Sequence, residues 1–230
     1  MPEPKPEFLS MKNVSKLMPQ EEMLEIKKTK KNVSIGVPRE ISFQENRVAL
    51  VPEAVGLLVQ NGHEVFVESD AGKEAHFPDS EYTDHGGTIV KTSAEVYQAD
   101  IILKVAPPSL NEIELMKLRQ TIISALHLTI QTQEYFKKLS SKKITALSYE
   151  FIKDKTGSFP VVRAMSEIAG NTSILIAAEY LCHPQFGKGS MLGGFSGITP
   201  TEVLILGAGT VGEFAARAAM GLGALVKVFD

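Results

Sequence analysis

From Val33 onward, short apolar segments alternate with stretches that have helical spacing, and this alternation constrains the fold more than any other feature. The strand candidates are VSIGVP, EVFVES, DIILKV, TIISALHL and ITALSY. Helix candidates such as PEAVGLLVQNG and QTQEYFKKLSSK lie between them. The run DIILKV is apolar throughout, as in a strand that is covered on both faces. The repeated strand–helix order predicts an α/β fold with a doubly wound parallel sheet.

The same pattern divides the chain into three predicted parts. Residues 1–32 carry early prolines, dense charge and few large apolar side chains, which predicts a flexible extension. Residues 33–160 form the predicted sheet domain, which we expect to bind the substrate. Residues 161–230 are predicted to hold a linking helix, RAMSEIAGNTSILIAAEYLC, and then the start of a Rossmann dinucleotide-binding domain.

The predicted Rossmann domain is truncated. A mononucleotide-binding half has about three strands and two crossovers. After Thr201 the sequence offers two strand candidates, VLIL and LVKVF, and one helix candidate. We therefore expect that the chain is a fragment of a longer protein and that it has no catalytic activity alone.

Composition excludes several classes of function. The net charge of −3 gives no general attraction to nucleic acid or to an anionic membrane, so neither is an expected partner. The single cysteine, Cys182, excludes a disulfide framework, and the expected location is the cytoplasm. None of the five histidines pairs with an acid at metal-ligand spacing, so we predict no metal.

The segment GAGTVG supplies three glycines in the G-x-G-x-x-G spacing of dinucleotide-binding turns. A strand candidate precedes it, a helix candidate follows it, and the next strand ends in an acid. The glycines permit a tight turn and close approach of a pyrophosphate to the helix N-terminus, while the acid binds ribose hydroxyls and repels a 2′-phosphate. The pattern predicts NAD as the cofactor; the alternative is a turn that needs glycine for packing only. The predicted cofactor-binding residues are Gly207, Gly209, Gly212 and Asp230.

Three basic or titratable residues fall where predicted strands end: Arg47, Lys104 and His127. Ligands bind beyond the carboxyl ends of such strands, so their convergence favours a small anion such as a 2-oxo acid. Arginine can hold a carboxylate bidentately, lysine can polarise an oxo group, and histidine can exchange a proton. Each also has a purely structural interpretation. Arg47 could pair with a nearby glutamate, Lys104 could extend its amine to water from the core edge, and His127 could be a core histidine.

Six segments together resemble the alanine dehydrogenase family, which shares its fold with the alpha subunit of nicotinamide nucleotide transhydrogenase. They are IGVPREISFQENRVALVPEAV, GHEVFVESDAG, LHL, MSEIAG, GGFSGI and VLILGAGTVG, in the family's order. The resemblance covers residues 33–230 and implies reversible, NAD-dependent oxidative deamination of L-alanine to pyruvate and ammonia. It also implies a homo-oligomer, either a hexamer or a dimer.

The resemblance also implies roles for individual residues. Arg47 in ENRVA would bind the substrate carboxylate, and His127 in LHL would be the catalytic acid/base. Ser166 in MSEIAG would lie beside the cofactor, as would its neighbour Met165. The glycines of the turn and Asp230 would hold the dinucleotide.

One segment departs from the family pattern. The family commonly reads K-V-K-E-P where this chain reads KVAPP, so Ala106 stands in the place of the substrate lysine. Lys104 lies two residues earlier on the same predicted strand face, and we predict that it serves in substrate binding and catalysis instead. Two alternatives stay open: a transhydrogenase alpha-type subunit and a nucleotide-binding module without catalysis.

Overall fold

A computed structural model of the protein describes residues 32–230. The predicted extension, residues 1–32, lies outside this range except for Asn32. Six strands, all parallel to their neighbours, form the main sheet. They are β1 (Ser34–Val37), β2 (Glu64–Glu68), β3 (Thr88–Val90), β4 (Ile101–Leu103), β5 (Thr121–Ser124) and β6 (Thr145–Ser148).

Helices connect these strands, as parallel pairing requires. Two of them begin with capping boxes, in which Thr92 and Ser109 exchange hydrogen bonds with Glu95 and Glu112. Short 3₁₀ segments at 73–75, 128–130 and 149–151 complete the connections. The α-helices are α1 (Pro52–Gln60), α2 (Asp79–Asp84), α3 (Ser93–Val96), α4 (Leu110–Leu115), α5 (Gln133–Ser141) and α6 (Pro160–Cys182).

The strand order is β3-β2-β1-β4-β5-β6, which confirms the predicted doubly wound parallel sheet. The chain builds outward from β1 in one direction and then returns to build outward from β4 in the other. The order therefore reverses between β1 and β4. In open α/β sheets, ligands bind in the crevice outside the carboxyl ends of the strands at such a reversal.

Two clusters of buried apolar residues form the core around the main sheet. The strand residues that contribute to them are fully or almost fully buried, which explains the continuous apolar runs in the sequence. One cluster holds Tyr97, Ala99, Ile102, Ile113, Met116, Ile122, Tyr135 and Leu139. The other holds Ile35, Val37, Val55, Val65, Val67, Ala71 and Tyr82.

A second β–α–β unit follows α6 and consists of β7 (Glu202–Leu206), α7 (Thr210–Gly221) and β8 (Leu225–Phe229). Strands β7 and β8 pair in parallel, which confirms the predicted start of a Rossmann fold. Helix α6 packs along α7. The two backbones lie so close at Gly170 that a Cβ there would be 2.5 Å from the carbonyl oxygen of Val211. The division at residues 160 and 161 stays a prediction.

Two strands end earlier than the apolar segments that predicted them. Strand β5 ends at Ser124 although the predicted strand TIISALHL continues to Leu128, and β4 ends at Leu103 although DIILKV continues to Val105. Helix α4 begins after Ser109 because that residue caps it. None of the helices described here is long and apolar enough to cross a membrane.

Candidate active site

A cleft of about 680 Å³ opens at the carboxyl ends of the central strands, where the strand order reverses. Its lining is largely apolar, with a few polar groups among small aliphatic side chains. This is the usual composition of a small-molecule site, in which a few polar groups orient the ligand. The polar side chains that line the cleft belong to Glu45, Arg47, His127, Tyr149, Glu150 and Ser166.

Arg47 lies on the loop after β1 and pairs with Glu45. Its Nε and Nη2 atoms each donate to a different oxygen of Glu45, at 2.7 Å, and its Nη1 atom lies 3.4 Å from the sulfur of Met165. The hydrogen bond from Arg47 lowers the pKa of Glu45, and the same bond raises the pKa of Arg47. The guanidinium therefore stays charged, with one edge held by Glu45 and its side chain 58% exposed.

His127 lies beyond β5 in the left-handed region, with φ 46° and ψ 49°. This conformation costs a non-glycine residue about 1–2 kcal/mol. Glu150 stabilises it, since the carboxylate accepts the backbone N–H groups of Leu126 and His127, both at 3.1 Å. The His127 Nδ1 atom lies 3.0 Å from Glu150 Oε1. When Nδ1 carries the proton and donates a hydrogen bond to this carboxylate, Nε2 is the ring nitrogen left for proton exchange.

Glu150 is a residue that the sequence analysis did not select. Burial acts to raise the pKa of Glu150, but hydrogen bonds from Ser148 Oγ and from the backbone of Leu126 and His127 outweigh burial and lower that pKa. The neighbouring Tyr149 also lines the cleft, and burial raises the pKa of its hydroxyl to about 12. Both follow β6 directly, so their position after a strand was the available signal.

Lys104 lies behind the cleft wall. Its side chain is 0% exposed, and its Nζ atom lies 2.9 Å from Glu40 Oε2 and 3.0 Å from Glu112 Oε1. Val105 and Ala106, which follow it, line the cleft instead. The chain leaves β4 after Leu103, and Lys104 turns towards the two buried carboxylates. This geometry does not favour the predicted contact between Lys104 and a substrate.

The glycine-rich turn lies between β7 and α7, as predicted. Gly207 has φ 104°, which favours glycine, and a Cβ at Gly212 would overlap the carbonyl oxygen of Gly207. No side chain caps the first turn of α7, so its N–H groups are available to an anion. Asp230 lies at the end of β8, where its Oδ1 atom accepts the N–H of Ala208 at 3.1 Å.

Ser166 connects the turn with the cleft. Together with Val211, it lines both the cleft and a groove that runs along β7 and the glycines at 207, 209 and 212. A ligand on the turn could therefore extend to the cleft along Ser166. No group of three or more potential metal-ligating side chains occurs within residues 32–230.

Fold and site together define a class: α/β proteins in which a largely apolar cleft with a few charged groups, at the carboxyl ends of a parallel sheet, adjoins a glycine-rich Rossmann-like unit. The chain belongs to the alanine dehydrogenase/PNT family, which confirms the resemblance seen in the sequence. Residues 36–169 match the family's N-terminal domain and residues 173–230 match its C-terminal domain.

Several curated relatives are named alanine dehydrogenase. The protein from Methanococcus maripaludis is 44% identical over 197 residues, which are 85% of this chain and 52% of that protein. The protein from Geobacillus stearothermophilus is 37% identical over 199 residues, which are 86% of this chain and 53% of that protein. The chain thus spans about half the length of the curated relatives that it matches.

Solved structures show the same relationship. An L-alanine dehydrogenase structure superimposes with a TM-score of 0.80 at 40% identity, covering 86% of this chain and 54% of that one. A transhydrogenase from Sinorhizobium meliloti superimposes with a TM-score of 0.73 at 26% identity, covering 86% of this chain and 58% of that one.

Proposed function

We propose that the full-length protein catalyses the reversible oxidative deamination of L-alanine to pyruvate and ammonia with NAD. The observation that carries the proposal is the His127–Glu150 pair, which lines one cleft together with Arg47 and adjoins the glycine-rich turn through Ser166. Relatives that are 37–44% identical and named alanine dehydrogenase support it.

In this proposal, Arg47 binds the substrate carboxylate. Glu45 holds the Nε edge of the guanidinium and the Met165 sulfur accepts from Nη1, so the outward hydrogen of Nη2 and the second hydrogen of Nη1 remain for the substrate oxygens. Because Arg47 is charged and fixed by its partner, it can orient the substrate with little loss of side-chain entropy.

His127 is the proposed catalytic acid/base. Its Nε2 atom takes a proton from the substrate nitrogen during deamination, or from the water that adds to the imine carbon, and returns it in the reverse reaction. Glu150 keeps the imidazole in the required tautomer and stabilises the imidazolium that forms. Tyr149 contributes a neutral hydroxyl to the same wall, since its raised pKa keeps it protonated.

The residues around the glycine-rich turn fit a dinucleotide. Open space surrounds Gly207 and Gly209 where a Cβ would stand, and the uncapped N-terminus of α7 suits a pyrophosphate. NAD would accept a hydride from the substrate Cα. Asp230 would bind the ribose hydroxyls and repel a 2′-phosphate, while Ser166 would lie beside the nicotinamide end.

An assay of NADH formation by the purified full-length protein tests the proposal. We expect NADH to form with L-alanine, to form more slowly with D-alanine, and to be consumed when pyruvate and ammonium are supplied together. Absence of both activities in a folded protein that binds NAD would instead support a nucleotide-binding module without catalysis.

A transhydrogenase alpha-type subunit is the second candidate function, and Ala106 favours it. This small side chain lines the cleft, so the cleft wall carries no lysine within the described residues. Hydride transfer from bound NADH to an NADP analogue, without any need for alanine, would support this candidate.

The proposal includes a cytoplasmic homo-oligomer. The single cysteine, Cys182, is free, as is usual for a reducing compartment. Helix α6 exposes large apolar side chains, including Leu175, Ile176 and Tyr180. Exposed apolar side chains in such numbers support the proposal that another protein surface covers this helix. Light scattering of the full-length protein would give its subunit number.

A further inference from the structure

A buried cluster of charges lies directly behind the cleft. Lys104 has a fully buried side chain, and the side chains of its partners Glu40 and Glu112 are only 4% and 8% exposed. The Tyr97 hydroxyl donates to Glu112 Oε1 at 3.1 Å. Burying a charge is costly unless it is paired and hydrogen-bonded, as these charges are. Pairing offsets that cost but does not by itself explain why charged rather than apolar side chains stand behind the cleft.

Glu40 connects two walls of the cleft. It belongs to the same loop after β1 that carries Arg47. Its Oε1 atom accepts the N–H of Val105 at 2.6 Å, and its Oε2 atom accepts the N–H of Ala106 at 3.4 Å. Val105 and Ala106 line the cleft at the exit of β4. One carboxylate therefore ties the Arg47 loop to the strand across the reversal in strand order.

Glu112 differs from Glu40 although both pair with Lys104. Its second oxygen accepts the backbone N–H of Ser109 at 2.7 Å, within the capping box of α4. None of its hydrogen bonds involves a residue that lines the cleft. Both carboxylates thus pair with Lys104, but only Glu40 forms hydrogen bonds with residues that line the cleft.

From these contacts we infer that Glu40 is a positioning residue, which holds the Arg47 loop in register with the exit of β4 for carboxylate binding, and that Lys104 is its buried counter-ion. Neither residue touches the substrate. The inference rests on the proposed function, in which Arg47 binds the substrate carboxylate. It also gives the buried Lys104 a role behind the wall of the cleft.

The matched variants Glu40→Gln and Glu112→Gln test this inference in the full-length protein. Each removes one of the two carboxylate charges on Lys104, so both should lower Tm by a similar amount. In Glu40→Gln, an amide NH₂ that faces Lys104 or the N–H of Ala106 would place two hydrogen-bond donors against each other. The substitution should therefore also loosen the Arg47 loop. We expect Glu40→Gln to raise the KM for L-alanine about tenfold while the KM for NAD changes less than about twofold. Glu112→Gln should leave both KM values within about twofold.

A similar rise in the KM for L-alanine in both variants, or no rise in either, would overturn the inference. If Glu40→Gln does not fold, Glu40→Asp replaces it. Aspartate keeps the charge but is one methylene shorter, so it cannot reach Lys104 and the N–H of Val105 together. The same selective rise in the KM for L-alanine is expected, and its absence counts against the inference.

Hydrogen exchange separates a failure of this inference from a failure of the proposed function. The amides of Val105 and Ala106 should exchange faster in Glu40→Gln than in wild type, and should be unchanged in Glu112→Gln. If wild type forms no NADH from alanine, the proposed function fails. Equal exchange at these two amides in both variants overturns the positioning role whatever the activity.

Discussion

His127 and Glu150 come from the ends of two neighbouring strands and meet with Nδ1 3.0 Å from Oε1. The same carboxylate accepts the backbone N–H groups of Leu126 and His127. It therefore fixes both the ring and the unusual backbone conformation of the histidine. In the proposed reaction the two residues act as a unit, an acid/base and the carboxylate that orients it.

Replacing this carboxylate should impair turnover more than binding. In Glu150→Gln, an amide that presents its NH₂ to the imidazole can select the wrong tautomer, and the imidazolium loses its counter-charge. We expect kcat to fall at least about tenfold, with the KM for NAD changed less than about twofold. Steady-state kinetics measure both. The control is Glu114→Gln, which removes an exposed carboxylate paired with Lys138 on α5 and should change neither constant.

Glu150 should also contribute to stability in a pH-dependent way. Its folded-state pKa is lowered from the ordinary value of 4.5, so its contribution is present above that value. The contribution is lost as the pH falls through the lowered folded-state pKa. The difference in unfolding free energy between wild type and Glu150→Gln should therefore shrink below pH 4.5. Urea titrations across this range measure it, and a difference that grows on acidification would contradict the assignment.

The geometry at Arg47 predicts that lysine cannot replace it. Lysine keeps the charge but lacks the planar fork that binds Glu45 and a substrate carboxylate together. We expect Arg47→Lys to raise the KM for both L-alanine and pyruvate at least about tenfold, with little change in NAD binding. Arg217→Lys, at an exposed arginine that pairs with Glu213 on α7, is the matched control. An unchanged KM for both substrates in Arg47→Lys would show that the carboxylate binds elsewhere.

The glycine-rich turn gives a second pair of matched variants. A methyl group at Gly212 would collide with the Gly207 carbonyl, whereas Gly221, at the other end of the same helix, has open space around it. Gly212→Ala should weaken NAD binding at least about tenfold because the turn must open to admit the methyl group. Gly221→Ala should bind NAD as wild type does. Titration calorimetry with NAD measures both, and equal binding by the two variants would argue against a phosphate site at this turn.

Local patterns in the sequence predicted the fold and part of the site. The period of the apolar runs predicted the parallel sheet, and GAGTVG predicted the turn between β7 and α7, because each depends on neighbouring residues. Arg47 and His127 were selected because they follow predicted strands, at the carboxyl ends where ligands bind in such sheets. Both do line one cleft, although their roles there are proposals.

The other parts depend on contacts between distant segments. Glu150 lies 23 residues after His127, and its position after β6 gives no indication that it pairs with that histidine. The buried position of Lys104 depends on Glu40, which is 64 residues away, and on where β4 ends. A strand that continued to Ala106 would have placed Lys104 and Ala106 on the same face, which is why the sequence alone suggested that the lysine could enter the cleft.

Proton transfer by His127 is the central claim, and His127→Gln in the full-length protein tests it most directly. Glutamine retains a side chain that can hydrogen-bond but cannot exchange a proton near neutral pH. We predict that alanine-dependent NADH formation falls at least about 100-fold while the dissociation constant for NAD stays within about twofold of wild type. Alanine-dependent NADH formation at the wild-type rate in His127→Gln would contradict the account.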